Sequence, residues 1–141
     1  MSLFAALTVS ASGMAAQRTR AALLVENIAN SETTRTAEGG PYRRKDAIFS
    51  SDATGPDFAT ELGSQMTGVK VAGITVDNSA PEKRYLPGHP DADADGYVSM
   101  PKVNPAEDMV DLMGANRSYQ ANVSAMSAVK DMIQKSIDLL R

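Results

Sequence analysis

Asn104-Pro105-Ala106-Glu107-Asp108-Met109-Val110-Asp111-Leu112 opens a run to Arg141 with no further proline and a single glycine, Gly114. Asn104 suits a helix N-cap, Pro105 the first helical position, and Glu107 lies where a capping box needs it. From there Met109, Leu112, Asn116, Tyr119, Val123, Met126, Lys130, Ile133, Ile137 and Leu140 recur in alternating steps of 3 and 4. That spacing is the heptad pattern of a helix that wraps another helix. Asn116 and Lys130 place polar groups in the stripe, which costs stability and can fix register. A helix from 105 to 140 would span roughly 50 Å, more than a domain of this size is wide.

Working outward, residues 2 to 30 carry a matching stripe. Leu3, Leu7, Ser10, Met14, Gln17, Ala21, Leu24 and Ile28 step by 4 and 3 in turn, and Asn30 marks the helix end. Ser10-Ala11-Ser12-Gly13 makes this helix weak alone, but its small side chains admit a close neighbour. The two ends are therefore expected to pack on each other.

Residues 31–104 hold most of the glycines and no persistent helical period. Tyr42 to Phe49 reads as a short strand with its basic run solvated, Ser50 to Pro56 as loop, and Asp57 to Met66 as one short helix. Val69 to Val76 is the clearest strand, with 83–85 and 97–100 as candidate partners. The expectation is an α+β fold in three parts. A terminal helix over 1–30 and another over 105–141 form a coiled-coil-like pair, and 31–104 make a small β-rich module between them.

Composition narrows the function. The net charge is −3, divided as +1 over 1–30, −3 over 31–104 and −1 over 105–141, so no segment is basic enough to clamp nucleic acid. Cysteine is absent, which removes disulfides, thiolate metal sites and a cysteine nucleophile. No run approaches the roughly 18 apolar residues that span a bilayer, and the first residues lack the basic start of a cleavable signal.

One stretch invites a metal. Asp91, Asp93, Asp95 and Gly96, followed by Tyr97, match the first half of a calcium loop. The position that should carry a bidentate Glu is Lys102, and Pro87, Pro90 and Pro101 deny the flanking helices. A turn rich in Asp and Gly is the simpler expectation. His89, the single histidine, sits in a proline loop without a second ligand or nucleophile at a telling spacing. No cofactor, metal or catalytic residue is expected.

With the helices placed, Ser10-Ala-Ser-Gly-Met-Ala-Ala-Gln17, Glu26-Asn-Ile-Ala-Asn30 with its Thr-rich turn, and Tyr42-Arg-Arg-Lys45 resemble the N-terminal signature of bacterial flagellar rod and hook proteins. Pro87 to Val98, and Met113 to Asn122 with Lys130-Asp-Met132, resemble the proximal rod members of that family in particular. The resemblance implies a structural subunit of the basal-body rod, not an enzyme, whose motif residues pack. It further implies manufacture in the cytoplasm, export by the flagellar type III pathway without a cleaved signal, and assembly in the rod across the periplasm. Its partners would be other copies and other rod proteins, with the rod-base adaptor and the export gate and MS ring at one end and the distal rod at the other. Nucleic acid and direct membrane insertion have no part in this. A calcium-binding module, or a distal rod or hook subunit, are the alternatives.

Overall fold

The computed structural model describes residues 3–52 and 67–139 of the chain. Its elements in order are α1 (Leu3–Ala29), β1 (Lys45–Asp52), β2 (Gly68–Val76), β3 (Glu82–Tyr85), β4 (Tyr97–Met100) and α2 (Pro105–Asp138). The two terminal helices flank a β-rich middle, the α+β arrangement expected. α2 starts as its sequence predicts: the Ala106 N–H donates to Asn104 Oδ1 at 3.2 Å, with Pro105 in the first turn. No helix among the described residues is long and apolar enough to cross a membrane.

α1 and α2 pack against each other. Gly13 lies against Asn122, and Arg20 pairs with Asp111, so the helices run antiparallel. A Cβ added at Gly13 would stand 3.0 Å from Asn122 Nδ2, closer than ordinary van der Waals contact. The glycine that weakens α1 as a helix is thus what admits its neighbour. Counting ten residues back from Gly13 reaches Leu3, and ten forward from Asn122 reaches Met132. α2 therefore continues for Ile133–Asp138 past the level of Leu3.

β1 pairs antiparallel with β2, from Lys45↔Val76 to Asp52↔Gly68, with a bulge between Ile48 and Phe49. The strand runs on through Ser50–Asp52, read from sequence as loop, because Gly68–Lys70 supply backbone partners there. β3 pairs with β4, Glu82↔Met100 to Tyr85↔Tyr97, instead of joining β2. Among the described residues the middle is two separate ribbons. The helix expected at 57–66 lies outside the described residues.

Two-stranded ribbons are marginal in water unless something anchors them. For β1–β2 the anchor is α1. Ser12 Oγ accepts the Val69 N–H at 3.0 Å, tying the start of β2 to the middle of the helix. Asn27, fully buried, ties the start of β1 to the helix end. Its Nδ2 donates to the Lys45 carbonyl at 2.9 Å, and its Oδ1 accepts from the Lys45 N–H at 3.0 Å and from the Tyr42 hydroxyl at 2.9 Å. One amide satisfies both backbone groups of a strand residue, as a neighbouring strand would.

The apolar core among the described residues is small: Ala16, Leu23, Leu24, Tyr42, Val98, Met100, Ala115 and Val129. Large apolar side chains on both helices, among them Phe4, Val25, Met109, Val110 and Met113, remain exposed.

Asn27→Ala leaves the Lys45 backbone and the Tyr42 hydroxyl without partners inside the fold. It is expected to cost about 2–4 kcal/mol in urea unfolding, against less than 1 kcal/mol for the exposed Asn78→Ala.

Candidate assembly surface

The segment Ser10–Gln17 divides its work along one helix. Ser12 holds β2, Gly13 admits Asn122, and Ala16 is buried at the close approach of the helices. Gln17 Oε1 is fully covered and receives no hydrogen bond among the described residues. It stands by a cleft between the helices lined by Gln17, Arg18, Ala21, Ala115, Asn116 and Tyr119.

The segments Glu26–Thr34 and Tyr42–Lys45 close around each other. The Tyr42 N–H donates to the Thr33 carbonyl at 3.0 Å, and Asn30 Nδ2 donates to the Glu26 carbonyl at 2.9 Å, ending α1. Lys45 Nζ reaches Glu26 Oε1 at 2.6 Å and lies 5.7 Å from the centre of the Tyr42 ring. Burial, and the carboxylates of Glu26, Asp108 and Asp46, push the Tyr42 phenol up to about 12. It therefore stays a neutral donor to Asn27 at any physiological pH. Arg44, read from sequence as part of a solvated run, instead reaches inward to Asp46 and to the buried Asp108.

The loop from Leu86 to Tyr97 uses its carboxylates on the protein itself. Asp91 accepts from Thr34 Oγ1 and pairs with Arg35 Nη2, both at 2.7 Å. The Asp91 N–H donates to His89 Nδ1 at 3.1 Å, which assigns the ring proton of neutral His89 to Nε2. Asp93 Oδ1 accepts the backbone N–H groups of Asp95 and Tyr97 at 3.1 and 2.8 Å. Gly96 has φ +81°, and a Cβ there would meet the Tyr85 ring at 2.9 Å, so the turn requires glycine. Tyr97 stacks edge-on against Tyr85, with centroids 5.4 Å apart. Asp95 is exposed. Among the described residues no group of three or more His, Cys, Asp or Glu side chains is placed to hold a metal ion. The loop is a locked turn that ties β3–β4 to the segment after α1.

The heptad stripes lie beside the line of closest approach. In α1, Leu24 is buried, and Leu7, Ser10, Met14, Gln17, Ala21, Ile28 and Asn30 are half-buried, while Leu3 is exposed. The fully buried Ala16, Leu23 and Asn27 each precede Gln17, Leu24 and Ile28 by one residue. In α2, Leu112, Met126 and Ile133 are half-buried, as expected of a seam. The other column is displaced. Asp108, Ala115 and Val129 are buried and Asn122 half-buried, each one residue before Met109, Asn116, Val123 and Lys130, which are exposed. Tyr119 and Ile137 are also exposed, and Leu140 lies outside the described residues. The helix is turned by Asp108, drawn in by Arg44, and by Ala115 and Asn122, small enough for the approach of Ala16 and Gly13.

The result is an apolar flank open to solvent. Met109, Val110, Met113, Val123 and Ile137 are exposed on α2, and Phe4, at 72%, and Val25 on α1. Phe4, Met113 and Val123 lie in stretches almost without charge: residues 3–17 have none, and 112–129 have only Arg117. Exposed apolar side chains grouped in this way mark a surface that meets another molecule.

Residues 94–139, which cover β4 and α2, match the family described as flagellar basal body rod FlgEFG protein C-terminal. Three relatives carry the name flagellar basal-body rod protein FlgC. That of Bacillus subtilis (strain 168) is 44% identical over 150 aligned positions, covering 99% of each chain. That of Borreliella burgdorferi is 38% identical, covering 100% of this chain and 99% of its own, and that of Salmonella typhimurium 41%, covering 99% and 98%.

Asp93→Ala removes the acceptor that folds the loop and is expected to cost about 1–2 kcal/mol. The loss in urea unfolding should be the same in EDTA and in millimolar calcium. A calcium-dependent difference would make the loop a cation site.

Proposed function

The chain belongs to the flagellar basal-body rod protein family, and from that premise we propose that it builds the proximal part of the rod. It is a structural subunit of the axle that carries torque from motor to hook and filament, and its place is the flagellar basal body. One observation carries the reading: the antiparallel helix pair leaves large apolar side chains exposed along its flank, among them Phe4, Met109, Val110, Met113 and Val123. Surrounding helices supply the missing cover. The residues of the two stripes, Leu3 to Asn30 and Met109 to Leu140, are its packing residues, some within the subunit and the exposed column between subunits. The work of these residues is packing rather than catalysis.

Its partners in this reading are other copies of the chain and other rod proteins. The rod-base adaptor with the export gate and MS ring stands at one end, and the distal rod at the other. The chain leaves the cytoplasm by the flagellar type III pathway, without a cleaved signal, and its rod spans the periplasm. A pair of helices with Ser10, Gln17, Asn116 and Lys130 along their flanks is weakly held in isolation. Folding completed on assembly lets the chain travel in extended form and harden at its destination. A calcium module is disfavoured by the engaged carboxylates of Asp91 and Asp93. A distal rod or hook subunit is disfavoured by near full-length matches to proteins named FlgC.

Two outcomes are expected. In dilute monomer at neutral pH, amides of 1–30 and 105–141 should exchange within minutes, while strong protection there would remove folding on assembly. Ile133→Asp should abolish motility and incorporation into rods while the variant is still exported, because it forces a charge into a packed flank. Normal incorporation would place the contact on another face.

A further inference from the structure

The junction between β1 and α2 holds a buried carboxylate. Asp108 is fully buried in the first turn of α2. Arg44 Nη2 stands 3.0 Å from its Oδ1, yet neither Asp108 oxygen receives a well-directed hydrogen bond among the described residues. The same guanidinium lies 3.3 Å from Asp46 Oδ2 through its Nε, which also lacks a directed hydrogen bond. One cation therefore serves two carboxylates.

The surroundings do not make good the deficit. On α2 itself Glu107 and Asp111 add negative charge, and Asp111 is drawn to Arg20 of α1 at 3.6 Å. Lys45 of β1 is committed to Glu26 of α1. Tyr42, from the segment before β1, is neutral and committed to Asn27. Burial holds the Asp108 carboxyl above its ordinary range; Arg44 opposes this, and Asp46, Asp111 and Glu107 add to it.

We propose that Arg44, Asp46 and Asp108 form a proton-operated latch between β1 and the first turn of α2. With every group charged, a buried anion with half a partner favours lifting of the first turn of α2, so that water can reach it. When Asp108 takes a proton from solvent, its charge is gone and Arg44 is left in one-to-one balance with Asp46. The sign follows from linkage. The cost is fully present above the raised folded value, falls away as pH drops through it, and is gone below the carboxylate range of the unfolded chain. The latch concerns this chain's own folding and stands apart from the rod reading.

The test compares the full-length chain with two variants by far-UV circular dichroism melts and hydrogen exchange at pH 7.5 and pH 4. Asp108→Asn is expected to raise Tm by roughly 3–6 °C at pH 7.5, with the gain shrinking toward zero at pH 4. Amide exchange over 106–109 should slow in that variant at pH 7.5. Arg44→Met should lower Tm at pH 7.5 and lower it less at pH 4. An Asp108→Asn chain that fails to fold, melts lower at pH 7.5, or keeps the same difference at both pH values overturns the latch.

Discussion

Asn27 is the interaction on which the rest depends. A strand must begin at Lys45, eighteen residues after Asn27, and the buried side-chain amide of Asn27 binds both backbone groups of that first strand residue. Because the amide offers a donor and an acceptor side by side, it replaces an adjacent strand for Lys45 and fixes where β1 starts. That start sets Arg44 against α2, Phe49 beside a cleft it shares with Leu23 and Leu24, and β2 against Ser12. The Tyr42 hydroxyl locks the same amide from the far side. A short polar contact thus orients the ribbon, and the apolar core is small because it has little left to decide.

The ends of the chain were legible because they obey local rules. Asn104 and Pro105 announce α2, the 3 and 4 spacing announces both helices, and β-branched residues announce β2. The facing of the helices was half legible. Leu112, Met126 and Ile133 are half-buried as seam residues should be, but Asn27, Asp108 and Asn122 also turn inward, because each finds a particular partner in a distant part of the chain. No periodicity reports a partner. Nor did it report that 82–85 and 97–100 pair only with each other, since short strands of similar composition leave pairing to the turn, here the one folded by Asp93.

The same inward-turned polar residues explain the exposed apolar ones. Turning Asp108, Ala115 and Val129 toward α1 carries Met109 and Val123 out to solvent. Their position, with the charge-poor zone beside them, is what an assembling subunit presents and what a free-standing globule avoids. Membership in the flagellar rod family is consistent with such a surface.

The end of α2 has a mechanical consequence. Its residues Ile133–Asp138 run past the level of Leu3. In a stack of such subunits each tip would lie alongside the next body, a scarf joint rather than a flat seam. Twist would then load helix flanks in shear over a length of backbone instead of prying apart a single plane.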